Sequence, residues 1–222
     1  MNSLQEDEKL STLLKRLHTR SAVQNEEVQN YIAIAGSKSI AGSASDMIAG
    51  RTFWQDKLIA LDQDKAQFCY HLCRAIGAQK AVEIGTSYGV STLYLAAAIR
   101  DNGGGTVIAT EYESIKAAAA RAHFFEAGLV DQIDLREGDL RQTLKSLPHN
   151  LDFVLMDIWL PMVEPALEII DPYLRPGAVI IADNTESFRK GYADFFTYLK
   201  THKYTTQTLP FEGGLEMSIK LG

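Results

Sequence analysis

Leucine residues near the start of the chain recur at the spacing of one helical face. They are Leu10, Leu13, Leu14 and Leu17, and acidic residues precede them, where the positive end of a helix dipole favours negative charge. The pattern predicts an amphipathic helix over residues 4–20. We expect its apolar face to be buried.

From residue 62 onward, short apolar runs alternate with segments of helical period. Strands that alternate with helices and are apolar on both faces are typical of a parallel sheet covered on both sides. The sequence therefore predicts one doubly wound α/β domain over residues 62–222. The runs that predict strands are KAVEI, TVIATE, IDLREGD, LDFVLMD and GAVIIADN, and helices are predicted at 62–76, 89–99 and 114–127.

The two ends of the chain differ from this pattern. The carboxyl-terminal run YTTQTLPFEGGLEMSIKLG has two β-rich segments around a Gly-Gly turn, which predicts a hairpin at the sheet edge. Residues 1–61 are interpreted as an N-terminal helical extension and lid. The lid is the Gly-, Ser- and Ala-rich segment 33–50, which fits no clean period and which we expect to cover a bound substrate.

Composition and charge exclude several classes of protein. The chain has 222 residues, 46% of them hydrophobic, which is enough for one sizeable core. Its net charge of −6 argues against a nucleic-acid partner, since such binding depends on Lys and Arg neutralising phosphates. No apolar run approaches the roughly 18 residues of a membrane span, and the first 20 residues are charged, so we expect a cytoplasmic protein without a membrane partner.

An acidic residue stands at or just after the end of five successive predicted strands. In open α/β sheets, ligands bind outside the carboxyl ends of the strands, so these acids are candidate ligand contacts. Any one of them could simply cap the helix that follows, but capping explains all five poorly. The acids are Glu83, Glu111, Asp139, Asp157 and Asp183, the last followed by Asn184.

The loop Gly85-Thr86-Ser87-Tyr88-Gly89 favours a small anion over a pyrophosphate. A dinucleotide site has the pattern G-x-G-x-x-G, and here its middle glycine is Ser87. Ser91 and the N–H groups of the next helix could hold an amino-acid carboxylate, with Glu83 attracting an ammonium and Glu111 accepting two ribose hydroxyls. An amino acid joined to a nucleoside describes S-adenosylmethionine.

The successive motifs resemble those of class I S-adenosylmethionine-dependent O-methyltransferases, in particular the catechol and caffeoyl-CoA group. The motifs are VEIGTSYGVSTLYLA, VIATE, REGD, LDFVLMDIW, GAVIIADN and GLEMSIK, and the similarity runs from about residue 63 to the end. The resemblance implies a seven-stranded Rossmann-like sheet with an antiparallel last strand, a small-molecule acceptor that we expect to be aromatic, and a homodimer. The candidate cofactor contacts are Glu83, Gly85, Thr86, Ser91, Glu111, Asp139 and Asp157.

The same resemblance implies a divalent metal held by Asp157, Asp183 and Asn184. Two carboxylates and an amide oxygen form a hard oxygen site that suits Mg²⁺. A metal there would lower the pKa of an acceptor hydroxyl and direct its oxygen toward the methyl group. Asp157 is therefore also a candidate catalytic residue.

One position departs from the family pattern. The group typically has a lysine three residues after the acid that matches Asp157, as a candidate general base, and here that position is Leu160. Lys190, in the segment after Asn184, could substitute, although an exposed lysine is the simpler interpretation. Three alternatives stay open: metal-independent transfer to oxygen, nitrogen or a carboxylate, a nicotinamide oxidoreductase, and a cofactor-binding protein without catalysis.

Other side chains carry weaker signals. Cys69 and Cys73 lie four residues apart on a predicted helix, where two buried apolar groups are a simpler interpretation than a disulfide or a metal pair. Trp159 and Phe188 lie near strand ends and could form the wall of a site for an aromatic acceptor, although packing alone would explain each of them.

Overall fold

The structure is a computed structural model that describes residue 4 and residues 6–35 and 53–222. Its helices are α1 (Glu8–Ala35), α2 (Gln63–Ala75), α3 (Val90–Asp101), α4 (Ser114–Ala127), α5 (Leu140–Thr143), α6 (Val163–Ile170) and α7 (Ala193–Thr201). Its strands are β1 (Lys80–Ile84), β2 (Thr106–Glu111), β3 (Ile133–Glu137), β4 (Leu151–Met156), β5 (Leu174–Asp183), β6 (Tyr204–Leu209) and β7 (Leu215–Lys220).

All seven strands form one sheet in the order β3-β2-β1-β4-β5-β7-β6. Strands β1 to β5 are parallel, whereas β7 runs antiparallel to both of its neighbours, β5 and β6. The predicted doubly wound sheet with an antiparallel last strand is therefore confirmed. The predicted hairpin is also confirmed, and it places β6 at the edge of the sheet.

The sheet is buried on both faces because successive residues of each inner strand point to opposite sides. In β1, Ala81 packs with the helices α1 to α4, whereas Val82 packs with α5, α6 and α7. In β4, Leu155 belongs to the core with α1 to α4, and Met156 belongs to the core with α5, α6 and α7. Two apolar layers of this kind explain why the strands read as unbroken apolar runs.

Strand β5 begins three residues earlier than the sequence predicts, at Leu174 rather than Gly177. The added residues include Pro176, which has no backbone N–H to donate to a neighbouring strand. The pairing of β4 with β5 shifts in register between Leu151 and Phe153, opposite these residues. An irregular strand start of this kind is hard to predict, because proline normally argues against a central strand.

Helix α1 is longer than the predicted helix over residues 4–20. Its apolar period ends at Leu17, but the segment that follows contains good helix formers such as Ala22, Gln24 and Glu26, and the helix continues to Ala35. Leu10 and Leu13 are fully buried in the same core as α2, α3 and α4. The predicted domain boundary between residues 61 and 62 therefore divides two segments that share a core.

Polar contacts also tie the start of the chain to the rest of the fold. Arg16 donates two hydrogen bonds to the Glu126 carboxylate, at 2.8 and 2.7 Å, and Arg100 donates to Asp7 at 2.7 Å. Most of the predicted lid, residues 36–50, lies outside the described residues. Among the residues that the structure does describe, no helix is long and apolar enough to cross a membrane.

The two cysteines, Cys69 and Cys73, are free thiols on the buried face of α2. Burial raises the pKa of both thiols above the ordinary value for cysteine. The prediction that they are two small buried groups is confirmed.

Candidate active site

The loop between β1 and α3 turns back on itself through residues with positive φ. They are Gly85 at 99°, Ser87 at 50° and Gly89 at 82°. A Cβ atom on Gly89 would lie 2.4 Å from the ring of Phe124, so close packing against α4 requires a glycine there. The loop is thus held tightly over the carboxyl ends of β1 and β2.

Glu83 lies buried beneath this loop, near the end of β1. One carboxylate oxygen, Oε2, accepts hydrogen bonds from the hydroxyls of Thr86, at 3.0 Å, and Thr92. The other oxygen, Oε1, is buried and has no hydrogen-bond partner among the described residues. Burial raises the pKa of Glu83 to about 7, although hydrogen bonds from Ser91, Thr92 and Thr86 oppose the rise.

In this arrangement the hydroxyls of Thr86 and Ser91 lie at Glu83, a position that the sequence analysis did not predict for them. The Thr86 hydroxyl donates to the Glu83 carboxylate, and the Ser91 hydroxyl lies near it, whereas the sequence predicted that Ser91 contacts the carboxylate of a ligand. A hydroxyl can donate one hydrogen bond and accept others, so a contact with a ligand remains compatible with this position. The role of both residues in cofactor binding stays a prediction.

Glu111 ends β2 beside the same loop and is mostly buried. Its Oε2 accepts from the backbone N–H of Ser87 and its Oε1 from that of Glu113, each at 2.7 Å. A carboxylate offers about four acceptor positions, so two remain for further donors such as ribose hydroxyls. The side chain is therefore held in one orientation at the predicted ribose position.

Asp139 behaves as a helix cap. It precedes α5, accepts a hydrogen bond from the Arg141 backbone N–H at 2.9 Å, and pairs with the Arg141 guanidinium at 2.6 Å. The hydrogen bond from that guanidinium lowers the pKa of Asp139. Asp139 therefore fits the capping alternative, and its contact with a cofactor stays a prediction.

Asp157 and Asp183 lie side by side at the carboxyl ends of β4 and β5. Met156 pairs with Ala182 across these two strands, and the next residue on each is the aspartate. Burial raises the pKa of both carboxyl groups, and the charge of Asp183 raises that of Asp157 further. Two of the three predicted metal ligands are thus brought together.

A residue that the sequence analysis missed joins this pair. Lys65, in the first turn of α2, is 1% exposed, and its ammonium donates to Asp183 Oδ1 at 2.7 Å. It also pairs with Asp62 at 3.1 Å. Burial would lower the pKa of Lys65, but the charges and hydrogen bonds of Asp183 and Asp62 outweigh it and raise the pKa. In sequence, Asp62 and Lys65 look like an ordinary surface pair at helical spacing.

The chemistry of this set fits a divalent cation. When both are ionised, Asp157 and Asp183 carry more negative charge than the single Lys65 ammonium offsets, and a bound cation would offset the remainder. Asn184 lies beside them and donates from Nδ2 to Asp183 Oδ2 at 2.8 Å. No cluster of three or more His, Cys, Asp or Glu side chains within the described ranges could hold a metal alone. A cation would therefore also need the amide oxygen of Asn184.

The predicted base Lys190 is not part of this cluster in the structure. It is an exposed residue of the turn between β5 and α7. Leu160 packs close to the same turn, where a Cβ atom on Gly191 would lie 2.5 Å from its Cδ1 atom. At the position where the family has a lysine, this chain therefore has Leu160, an apolar side chain that packs against the turn.

Aromatic side chains lie next to Asp157 along the chain. Trp159 meets Trp54 edge to face with ring centroids 5.9 Å apart, and the buried Trp54 Nε1 has no hydrogen-bond partner in the described part of the chain. Phe188 instead packs against the core under α6 and α7. The sequence did not indicate that Trp54 belongs to the site, because Trp54 follows a segment without a regular apolar period.

Residues 82–185 match the model of a family described as a methyltransferase domain. This part of the chain is a methyltransferase domain. It contains the glycine loop, Glu83, Glu111 and the three predicted metal ligands.

Curated relatives of this domain include two catechol O-methyltransferases. The protein from Niastella koreensis is 29% identical over 130 residues, which are 57% of this chain and 58% of that protein. The protein from Mycobacterium tuberculosis is 32% identical over 131 residues, or 57% of each chain. The predicted resemblance to the catechol and caffeoyl-CoA group is confirmed, and the chain matches less than two thirds of the length of either relative.

Solved structures extend the similarity of fold beyond the domain. The O-methyltransferase of Bacillus cereus, in complex with SAH, is 21% identical with a TM-score of 0.67, and the alignment covers 92% of this chain and 99% of that one. A SAH-bound methyltransferase of Podospora anserina is 19% identical with a TM-score of 0.69, over 89% and 97% of the two chains. At such identities the likeness concerns the fold alone.

Proposed function

We propose that the protein transfers the methyl group of S-adenosylmethionine to a hydroxyl oxygen of a small acceptor. The observation that carries the proposal is the position of Glu111, fixed by two backbone N–H groups beside the glycine loop of a methyltransferase domain. Catechol O-methyltransferases among the relatives support an oxygen as the site of transfer. The nicotinamide alternative is disfavoured because the loop has Ser87 in place of the middle glycine.

The cofactor would lie across the ends of β1 and β2. Glu111 has acceptor positions for the ribose hydroxyls, and the unpartnered Oε1 of Glu83 can accept from an ammonium directly or through water. The cofactor is a cation at its sulfur, so Asp157 and Glu83 make the site electrostatically favourable for it. The cofactor supplies the methyl group, and the carbon–sulfur bond breaks as the new carbon–oxygen bond forms.

The acceptor would lie on the other side of the methyl group, near the ends of β4 and β5. The rings of Trp54 and Trp159 form an apolar wall there, which supports a small aromatic acceptor. The buried Trp54 N–H can donate to a polar group of such a molecule. In the metal-independent form, Asp157 would be the candidate to receive the hydroxyl proton, because an aspartate with a raised pKa is a stronger base than an exposed one.

Asp157, Asp183 and Asn184 would hold a divalent cation such as Mg²⁺, which when bound lowers the pKa of the acceptor hydroxyl. The chain's contribution is then to hold the three ligands and to exclude water. The alternative is metal-independent transfer, and the observation that favours it is the Lys65 ammonium, which already places a positive charge on Asp183.

The first experiment measures binding of S-adenosylmethionine and of NAD by calorimetry. Binding of the former alone supports the proposal, and binding of NAD alone contradicts it. The second measures turnover of a catechol panel in EDTA, then with Mg²⁺, Mn²⁺ or Ca²⁺ restored. Loss of turnover in EDTA by orders of magnitude, with recovery on adding metal, supports the metal-dependent form. Full turnover in EDTA favours the metal-independent form.

The proposed assembly is a homodimer, as the resemblance implies. Light scattering on purified protein tests it, and the mass of a single chain would contradict it. The cytoplasmic location stays a prediction.

A further inference from the structure

The two carboxylate oxygens of Asp183 have chemically different partners. Oδ1 accepts from the Lys65 ammonium at 2.7 Å, and Oδ2 accepts from the Asn184 amide at 2.8 Å. Lys65 is held in place by a second acid, Asp62, at 3.1 Å. Each oxygen therefore accepts from a different side chain.

These two partners differ in how readily they can be displaced. The Lys65 ammonium is buried, and separating it from Asp183 would leave a buried charge without its closest partner, which is strongly unfavourable. The Asn184 amide is neutral, and its terminal torsion has a broad range, so it can turn away from Oδ2 and present its oxygen instead. Oδ2 can therefore be released to a cation, while Oδ1 stays with Lys65.

A carboxylate with one available oxygen suits some cations better than others. Ca²⁺ takes six to eight oxygen ligands and often binds both oxygens of one carboxylate, whereas Mg²⁺ requires a compact octahedron of single oxygens. We propose that Lys65 is a specificity-determining residue that restricts Asp183 to one-oxygen coordination, so that the site selects Mg²⁺ over Ca²⁺. This inference rests on the divalent cation of the proposed function.

The test compares binding of Mg²⁺ and of Ca²⁺ by calorimetry in the wild-type protein and in Lys65 variants. Lys65→Met removes the donor and the charge, Lys65→Gln removes the charge, and Lys65→Arg keeps both. Removing a positive charge strengthens the binding of both cations alike, so the ratio of the two dissociation constants isolates the effect of geometry. Lys200→Met, at an exposed position of α7, is the matched control.

We expect the wild-type protein, Lys65→Arg and Lys200→Met to prefer Mg²⁺. Lys65→Met is expected to shift the ratio toward Ca²⁺ by roughly tenfold or more, because both Asp183 oxygens become available. Circular dichroism checks that each variant folds. If Lys65→Met does not fold, Lys65→Gln provides the test, with a shift in the same direction.

Two results would overturn the inference, and they are distinguishable. An unchanged ratio in the folded Met and Gln variants, with both cations still bound, would overturn this inference alone. If neither cation binds to the wild-type protein or to any folded variant, the inference and the metal-dependent form of the proposed function both fail. Binding of S-adenosylmethionine, measured on the same samples, tests the methyltransferase proposal separately.

Discussion

A Cβ atom placed on Gly85 would lie 1.9 Å from the backbone oxygen of Asp157. The loop after β1 therefore runs directly against the end of β4, and the Asp157 N–H donates to the Ile84 carbonyl at 3.0 Å. Only a glycine at position 85 leaves room for the backbone of Asp157 to lie this close.

Gly85→Ala is expected to reduce both stability and turnover. The positive φ of 99° alone costs an alanine about 1–2 kcal/mol, and the clash would also displace Asp157. Gly103→Ala is the matched control, because Gly103 has the same φ of 99° and nothing within 4 Å of its added Cβ. Urea unfolding and turnover measure the two effects. Equal losses in both variants would contradict the role assigned to the close approach.

Glu111→Ala is expected to weaken S-adenosylmethionine binding by roughly tenfold or more, since charge-assisted hydrogen bonds contribute about 1.5–3 kcal/mol each. The same change also releases the Ser87 N–H, so the loop loses a contact. Glu137→Gln is the control. Glu137 lies opposite Glu111 in the register of β2 and β3, but its side chain is exposed. Calorimetry measures the affinity. Unchanged affinity in a folded Glu111→Ala protein would contradict the ribose position.

The fold was largely predictable because its signals are local and redundant. Strands β1 and β2 have the predicted bounds, since a run of five or six residues with an apolar centre between turn residues has few other interpretations. The end of α1 was not predictable from period, because the regular spacing of leucines stops at Leu17 and residues 33–35 belong to a segment that fits no clean period. The early start of β5 was not predictable either, since Pro176 argues against a strand until the shifted pairing with β4 is known.

Glu83 is expected to make stability depend on pH. Its pKa is raised from 4.5 to about 7 in the folded protein, so the folded chain holds the proton more tightly than the unfolded chain. This contribution is fully present below about pH 4.5 and is lost as pH rises through about 7, and it amounts to about 3 kcal/mol.

Urea unfolding of the wild-type protein and of Glu83→Gln at about pH 5 and about pH 8 checks this prediction. Glutamine does not titrate, so the wild-type protein should lose about 2–3 kcal/mol relative to the variant between these two values. A constant difference between wild type and Glu83→Gln would contradict the raised pKa.

Leu13→Ala is expected to destabilise the whole protein by about 2–5 kcal/mol, because Leu13 is 1% exposed in the core shared with α2 and α3. Val23→Ala, at a position of the same helix that is 79% exposed, is expected to change stability by less than about 0.5 kcal/mol. Thermal unfolding followed by circular dichroism measures both. Equal effects would mean that α1 folds apart from the sheet.

Lys190→Met is expected to leave turnover within about twofold of wild type across the pH range, because Lys190 is exposed in a turn and a surface change of this kind has small effects. A pH–rate profile of the two proteins is the measurement. Loss of the basic limb of that profile in the variant would restore Lys190 as the general base.

The candidate site was only partly predictable, because its members come from distant parts of the chain. Strand ends drew attention to Glu83, Glu111, Asp157 and Asp183, since sheet topology brings such ends to one edge. Lys65 lies on the helix before the sheet, and only the packing of α2 turns its ammonium toward Asp183. No local pattern distinguishes such a lysine from one in solvent.

The buried thiols of α2 can be used to measure how often that helix opens. Cys69 lies one turn of helix after Lys65, fully buried, with its thiol held in the unreactive protonated form. Alkylation must therefore wait for α2 to open, so the rate of labelling under native conditions measures the free energy of that opening. A ligand that bound only while Lys65 holds Asp183 would slow the labelling, and so could be detected without following any reaction.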